Sequence, residues 1–354
     1  MHVALDATYL VDPHPSGIAV YSRELLDGLA RTHPDDRFLH LYRLKQYRRL
    51  ESARANFPNV VTRPLVPMLP YGAPWNPPDL FHALNQRVGQ RGAKHVISTF
   101  HDLFVLTSDY SSADFRARFA KQAREAAERS DLIIAVSDFT KGQLVSLLNV
   151  EAARVRVVPH GVHPAEDPPP LIDREKMILC VGALQVRKNV TRLAEAFEAV
   201  PARIRGGWKL VLAGSTAGFG AAAIVARIER SSAASQIQLR GYVNQLELNE
   251  LYRRAMIFAF PSLDEGFGIP VLEAMGNGIP VLTSNRSALP QIAGDAALLV
   301  NPDDSDSMSR ELAKLMKDGS ARENLRRLGL ERAKLFPWSR AVDATYKVYS
   351  EILS

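Results

Sequence analysis

Short apolar runs alternate with longer amphipathic stretches along almost the whole chain. That alternation predicts parallel sheets covered by helices. In the first half, residues 3–6, 38–42, 80–83, 96–100, 132–136 and 155–158 read as strands. Helices are predicted near 16–30, 112–129 and 138–148, and the proline-rich stretch 63–78, with Tyr71 and Trp75, reads as a loop facing a cleft. The second half repeats the pattern. Strands are predicted at 178–181, 209–213, 236–240, 257–260, 281–283 and 297–300. Helices are predicted near 191–200, 221–231, 245–254, 271–276, 306–317 and 322–334.

Between the halves lies His163-Pro164-Ala165-Glu166-Asp167-Pro168-Pro169-Pro170. Three consecutive prolines continue neither a helix nor a central strand, so this segment reads as a semi-rigid spacer. The expected division is 1–165, 166–335 and a closing helix within 336–354. Two Rossmann-like halves follow, with a cleft where the carboxyl ends of the two sheets face each other.

Composition changes this picture little. A chain of 354 residues is too long for one ordinary domain and fits two. A hydrophobic share of 46% with 23% charged is that of a soluble globular protein. Met1-His2-Val3-Ala4-Leu5-Asp6 reads as a strand, not a signal peptide. No apolar run approaches the roughly 20 residues that span a bilayer. The single cysteine, Cys180, sits in an apolar run and allows no internal disulfide, so a cytoplasmic location is expected. The net charge of +6 suits nucleic acid, a membrane surface or a phosphate-bearing substrate. No zinc-ligand spacing or aromatic-basic RNA-binding signature accompanies it, so nucleic acid is not an expected partner.

The richest chemistry lies in Glu265-Gly266-Phe267-Gly268-Ile269-Pro270-Val271-Leu272-Glu273. A strand ends just before it, and Pro270 suits the first position of a helix. N–H groups near Gly266, Phe267 and Gly268 then sit at a positive helix end, suited to anionic or hydroxyl-rich ligands. The glutamates could form a glycosidase pair, which stands roughly 5 to 10 Å apart. Eight residues of helix separate them by about 12 Å, so the spacing favours two separate hydroxyl-binding carboxylates, although a sharp turn would shorten it. A loop carboxylate plus a solvated helical one is the plain alternative.

Val181-Gly182-Ala183-Leu184-Gln185-Val186-Arg187-Lys188-Asn189 leaves a strand and enters a helix, with Asn189 as the expected N-cap. Arg187 and Lys188 there would meet a diphosphate with two cations and free N–H groups; elsewhere such pairs are solvated surface. Ser16-Gly17-Ile18 opens the first helix, but the full G-x-G-x-x-G fingerprint of a dehydrogenase is absent. His101-Asp102 closes a strand of the first half and either faces the cleft or is held by its neighbours for structural reasons. Ser137 and Asp138 read as a helix cap.

With these residues the chain resembles the retaining glycosyltransferases of family 4, the group 1 glycosyltransferases. The resemblance covers nearly the whole chain: 17–25, His101-Asp102, 136–139, 158–162, 181–189, 260–275 and 288–302. It implies an α/β GT-B fold. It also implies that Glu273 receives ribose hydroxyls, and that Glu265 holds the sugar hydroxyls with help from Phe267 and Gly268. Gly17, Gly182, Gly266 and Ile269 join the donor-binding set. Arg187 and Lys188 would neutralise the departing diphosphate without a metal or other cofactor. His101 would lie near the anomeric carbon, and retention would follow a front-face path. Ala19, His160, His163 and Gln291 depart from the family pattern, in which Gly, Asn, Asp and Glu are common.

The stretches 262–270 and 285–290 are most similar to bacterial mannosyl- and rhamnosyltransferases of polysaccharide assembly. GDP-mannose is the first expectation for the donor, ahead of UDP-glucose, UDP-N-acetylglucosamine and GDP- or dTDP-rhamnose. The acceptor would be a glycan or lipid-linked. A non-catalytic nucleotide-sugar-binding protein is the rival from another class. The mixed basic and apolar runs 42–50 and 115–121 suit peripheral contact with an anionic inner membrane face, or are ordinary solvated helices.

Overall fold

The computed structural model describes residues 1–11, 16–48, 57–65, 77–89 and 93–354. The chain divides into two compact units. One comprises 1–107, 113–161 and 337–354, and the other 108–112 and 162–336.

The first unit carries a parallel sheet of β1 (His2–Asp6), β2 (Arg37–Arg43), β3 (Val60–Leu65), β4 (Leu80–Ala83), β5 (His95–Phe100), β6 (Leu132–Ala135) and β7 (Val155–Val157). Its order is β3-β2-β1-β4-β5-β6-β7. Alternation puts Val3 and Leu5 into one core with Leu25, Leu29 and Tyr349, and Ala4 into another with Phe81, Phe100 and Ala126. Both faces are therefore buried, which explains the nearly continuous apolar strands. The final helix, Trp338–Leu353, packs on the first, Gly17–Thr32. A Cβ on Gly161 would stand 2.5 Å from the Trp338 Cα, so only glycine allows that approach.

Among the described residues, β3 is the one strand that the pattern did not predict. Pro64 and Arg63 argue against a central strand, but among the described residues β3 pairs only with β2 at the sheet edge, where proline is tolerated. The expected loop 63–78 thus begins inside a strand. Its residues 66–76, with Tyr71 and Trp75, lie outside the described residues, as do Arg49 and Leu50 of the basic run.

The second unit carries β8 (Glu175–Val181), β9 (Lys209–Ala213), β10 (Ile237–Gly241), β11 (Ala255–Phe260), β12 (Val281–Ser284) and β13 (Ala297–Val300), in the order β10-β9-β8-β11-β12-β13. The order reverses between β8 and β11, and ligands of such sheets bind outside the carboxyl ends at that point. Cys180 is buried on β8, and burial pushes its thiol up to about 12.

The proline segment is not a free spacer. The buried Arg174 guanidinium donates to the Pro169 carbonyl from Nε at 3.2 Å and from Nη2 at 3.1 Å. Ala165 N–H donates to the Gly276 carbonyl at 3.0 Å. Prolines leave carbonyls without competing N–H groups, and here the second unit takes up those carbonyls.

Candidate functional site

Val181 and Phe260 end the neighbouring strands β8 and β11, and the chain beyond each forms the candidate site. After β8 the backbone turns at Gly182, with φ +140°, where a Cβ would press on the Lys188 Cε at 3.3 Å. Gly214 allows this turn its course, because a Cβ there would stand 2.0 Å from the Gly182 carbonyl oxygen. Leu184 N–H then donates to the Ser215 carbonyl at 2.8 Å. A single 3-10 turn, Val186–Lys188, presents the cations.

Both cations meet Glu265 on one oxygen. Oε1 lies 2.9 Å from the Arg187 Nη1 and 2.6 Å from the Lys188 Nζ. Arg187 also donates to the Asp264 carbonyl at 3.1 Å, while Lys188 stands 4.5 Å over the Phe260 ring. Burial pushes the Glu265 carboxyl up, but Arg187 and Lys188 outweigh it and hold it at about 2. Burial lowers the Lys188 ammonium, against the opposing pull of Glu265. Two cations thus converge on one carboxylate in a largely buried cluster, and an anion placed there would meet both.

Glu265 is fixed from behind. Its N–H donates to the Ser287 Oγ at 3.1 Å, and its carbonyl accepts from Ala288 N–H at 3.2 Å. The chain then passes Gly266 and the buried Phe267, whose ring meets Phe336 edge-on at 6.2 Å. Gly268, at φ +105°, precedes the helix Ile269–Gly276, and Pro270 lies in its first turn as the sequence predicts. Glu273 is part of that helix. Its Oε2 accepts from the Tyr252 hydroxyl at 2.8 Å, and burial raises its pKa. The two glutamates thus have different partners: Glu265 sits with cations, and Glu273 with a phenol.

Asn189 is not the expected side-chain cap. It occupies the residue before the helix Val190–Ala199 in the left-handed region, φ +58°, with no side-chain capping bond. Its Nδ2 instead donates to the carbonyls of Pro261 at 3.1 Å and Pro302 at 2.7 Å. It ties the loops after β8, β11 and β13 together. Ser287 and Tyr252 are contributors that motif reading passed over, and Asn189 is one to which it gave another task.

Gly17 and His101 belong to the first unit. Gly17 opens the first helix and is exposed, and Ser16 before it makes no side-chain cap. His101 is buried with both ring nitrogens engaged, Nε2 to the Leu84 carbonyl at 2.8 Å and Nδ1 to the His160 Nε2 at 3.2 Å. The two imidazoles stack at 5.2 Å, and Tyr21 meets both edge-on. Burial lowers His101 to about 4, so the ring is neutral at physiological pH. Nearby, Tyr349, His82, Thr99 and Tyr21 form a hydrogen-bonded chain. Ser137 caps its helix through Thr140 N–H at 3.1 Å. Among the described residues no group of three or more His, Cys, Asp or Glu could hold a metal ion, and no helix is long and apolar enough to cross a membrane.

Comparison with known proteins places the chain in a family. Residues 164–332 match the family model described as glycosyl transferases group 1, and residues 15–166 that of glycosyltransferase family 4. The chain is 32% identical over 284 residues to the O-antigen chain mannosyltransferase B of Escherichia coli, covering 76% of this chain and 74% of that one. It is 27% identical over 270 residues to the serotype-specific mannosyltransferase WbdA of Escherichia coli, where it spans only 33% of the longer relative. Among solved structures, sucrose-phosphate synthase from Thermosynechococcus elongatus superposes with a TM-score of 0.75 at 20% identity, over 99% of this chain and 98% of that one. The fold is GT-B, and the chain belongs to the group 1 glycosyltransferases of family 4.

Proposed function

We propose that this glycosyltransferase moves a mannosyl residue from GDP-mannose to a glycan or lipid-linked acceptor of a cell-surface polysaccharide, with retention at the anomeric carbon. The observation that carries this reading is the largely buried Arg187, Lys188 and Glu265 cluster at the reversal point of the second sheet. The relative named for O-antigen chain mannosylation, at 32% identity, favours mannose over the other hexoses.

In the proposed reaction Arg187 and Lys188 take the negative charge that develops on the diphosphate as its bond to the sugar breaks. Glu265 exchanges their contact for the sugar hydroxyls, and the backbone at Gly182, Gly266, Phe267, Gly268 and Ile269 lines the donor. Glu273 accepts from the ribose. His101 is proposed as the first unit's contribution, neutral and fixed by Leu84 and His160. With two cations on the diphosphate, a divalent ion is redundant, so transfer should survive chelation.

The test is turnover of GDP-mannose, UDP-glucose, UDP-N-acetylglucosamine and dTDP-rhamnose with a lipid-linked acceptor, with and without EDTA. Proton NMR then reads the anomeric signal of the product. An α-linked product from GDP-mannose in EDTA is expected. A β-linked product overturns retention, and loss of transfer in EDTA with recovery in magnesium overturns the role of the cations. Donor binding without turnover of any donor would favour a non-catalytic binding protein.

A further inference from the structure

Glu273 is a partly buried carboxylate without an ion-pair partner among the described residues. A carboxylate that must accept from a ligand cannot rotate freely, and with no cation to orient it something else must hold it. The structure assigns that task to Tyr252. Its hydroxyl donates to Oε2 at 2.8 Å, so Oε1 is the oxygen with which Glu273 would receive a ribose hydroxyl.

Tyr252 is built to stay a donor. Only 2% of its surface is exposed, and its ring packs against Phe258 at 6.0 Å. Burial and the adjacent carboxylate push the phenol well above its ordinary value, so it keeps its proton. Its backbone is clamped as well. The Arg174 Nη1 donates to the carbonyls of Tyr252 and Ala255 at 2.9 Å each, and Nη2 to that of Asn277 at 2.5 Å. Those carbonyls end the helices Gln245–Arg254 and Ile269–Gly276, the two that bear Tyr252 and Glu273. A guanidinium at two helix C-termini is favoured by both dipoles. One buried arginine therefore sets the distance across which the phenol meets the carboxylate.

We propose that Tyr252 is a positioning residue for nucleotide binding, orienting Glu273 towards the ribose hydroxyls from a helix fixed by Arg174. This rests on the reading of Glu273 as the ribose acceptor. Calorimetry of the full chain with GDP and with 2′,3′-dideoxy-GDP separates the two claims. If wild type prefers GDP and Glu273→Gln loses that preference, the reading of Glu273 stands; if wild type binds both equally or neither, that reading falls and the proposal with it. Given the preference, Tyr252→Phe should weaken GDP about tenfold, within the range of a hydrogen bond to a charged group, and leave dideoxy-GDP unchanged. Equal weakening of both ligands would make Tyr252 a packing residue only, and an unchanged GDP preference would remove it from nucleotide recognition. Should Tyr252→Phe fold poorly, Arg174→Lys gives a second reading. It keeps the charge but not the forked clamp, and should reduce the GDP preference in the same way; a preserved preference overturns the clamp.

Discussion

At the scale of single residues, the ion cluster has measurable consequences. Arg187→Ala and Lys188→Ala should each weaken nucleoside-diphosphate binding by about 1.5–3 kcal/mol, the scale of charged hydrogen bonds. Unchanged calorimetric affinity in both would remove them from the site. Glu265 adds a dependence on pH. In the fold its carboxylate stays ionised down to about 2, whereas in the unfolded chain it protonates near its ordinary 4.5. The unfolded chain therefore takes up the proton first as pH falls. The contribution of Glu265 is present above about pH 4.5 and is lost between there and about pH 2. Urea unfolding of wild type and Glu265→Gln over that window should show the wild type losing more stability on acidification. Parallel curves would mean that the cluster is solvated and weak.

At the scale of elements, the site depends on backbone meeting backbone. Gly214→Ala would drive a methyl into the Gly182 carbonyl, 2.0 Å away. An overpacked contact of that kind should cost about 1–3 kcal/mol of stability, and it should displace the loop that presents Lys188, weakening nucleotide binding too. Gly142→Ala, in the helix Asp138–Leu148 with nothing within 4 Å, is the control. It should stabilise by about 0.5–1 kcal/mol. Thermal unfolding and calorimetry check both.

Elements were also what the sequence made most legible. Strand runs such as Leu80–Ala83 and Lys209–Ala213 are read straight from their apolar residues, because both faces of a parallel sheet are buried. Arg187, Lys188, Glu265 and Glu273 stood out because each belongs to a local motif at the end of a strand. Tyr252 did not, since it meets Glu273 across 21 positions and looks like one more core aromatic. Asn189 was misread because its local pattern is that of a cap, whereas its real partners lie 72 and 113 positions away. The His101–His160 stack joins residues 59 apart, and neither local sequence announces the other.

At the scale of the whole molecule, surface chemistry frames a last prediction. On the helix Ala113–Arg129, Phe115 is 43% exposed and stacks on Phe119 at 6.3 Å, with Arg116, Arg118 and Lys121 interleaved. Leu44, beside Lys45, is also exposed. Peripheral attachment to anionic lipid is proposed from these residues. Co-sedimentation at low salt should show more protein pelleting with anionic than with neutral vesicles, and charge reversal at Arg116 and Arg118 should abolish the difference. Equal pelleting makes these ordinary solvated helices.

The path of the chain through its two units also dictates an order of events during synthesis. The first unit closes only with Trp338, Ala341, Val342, Val348 and Tyr349, which fill its core beside Leu25 and Leu29. The second unit is encoded between those parts, and its ends meet where Val162 N–H donates to the Phe336 carbonyl at 2.8 Å. A ribosome adding about 5–20 residues per second therefore finishes the sheet that emerges last before the sheet that emerges first. For tens of seconds, by that rate, the N-terminal strands wait with one apolar face uncovered. The nascent chain is thus most in need of a chaperone over its oldest segment, and a stop between Phe336 and Trp338 leaves the second unit complete but tethered to an unfinished first one.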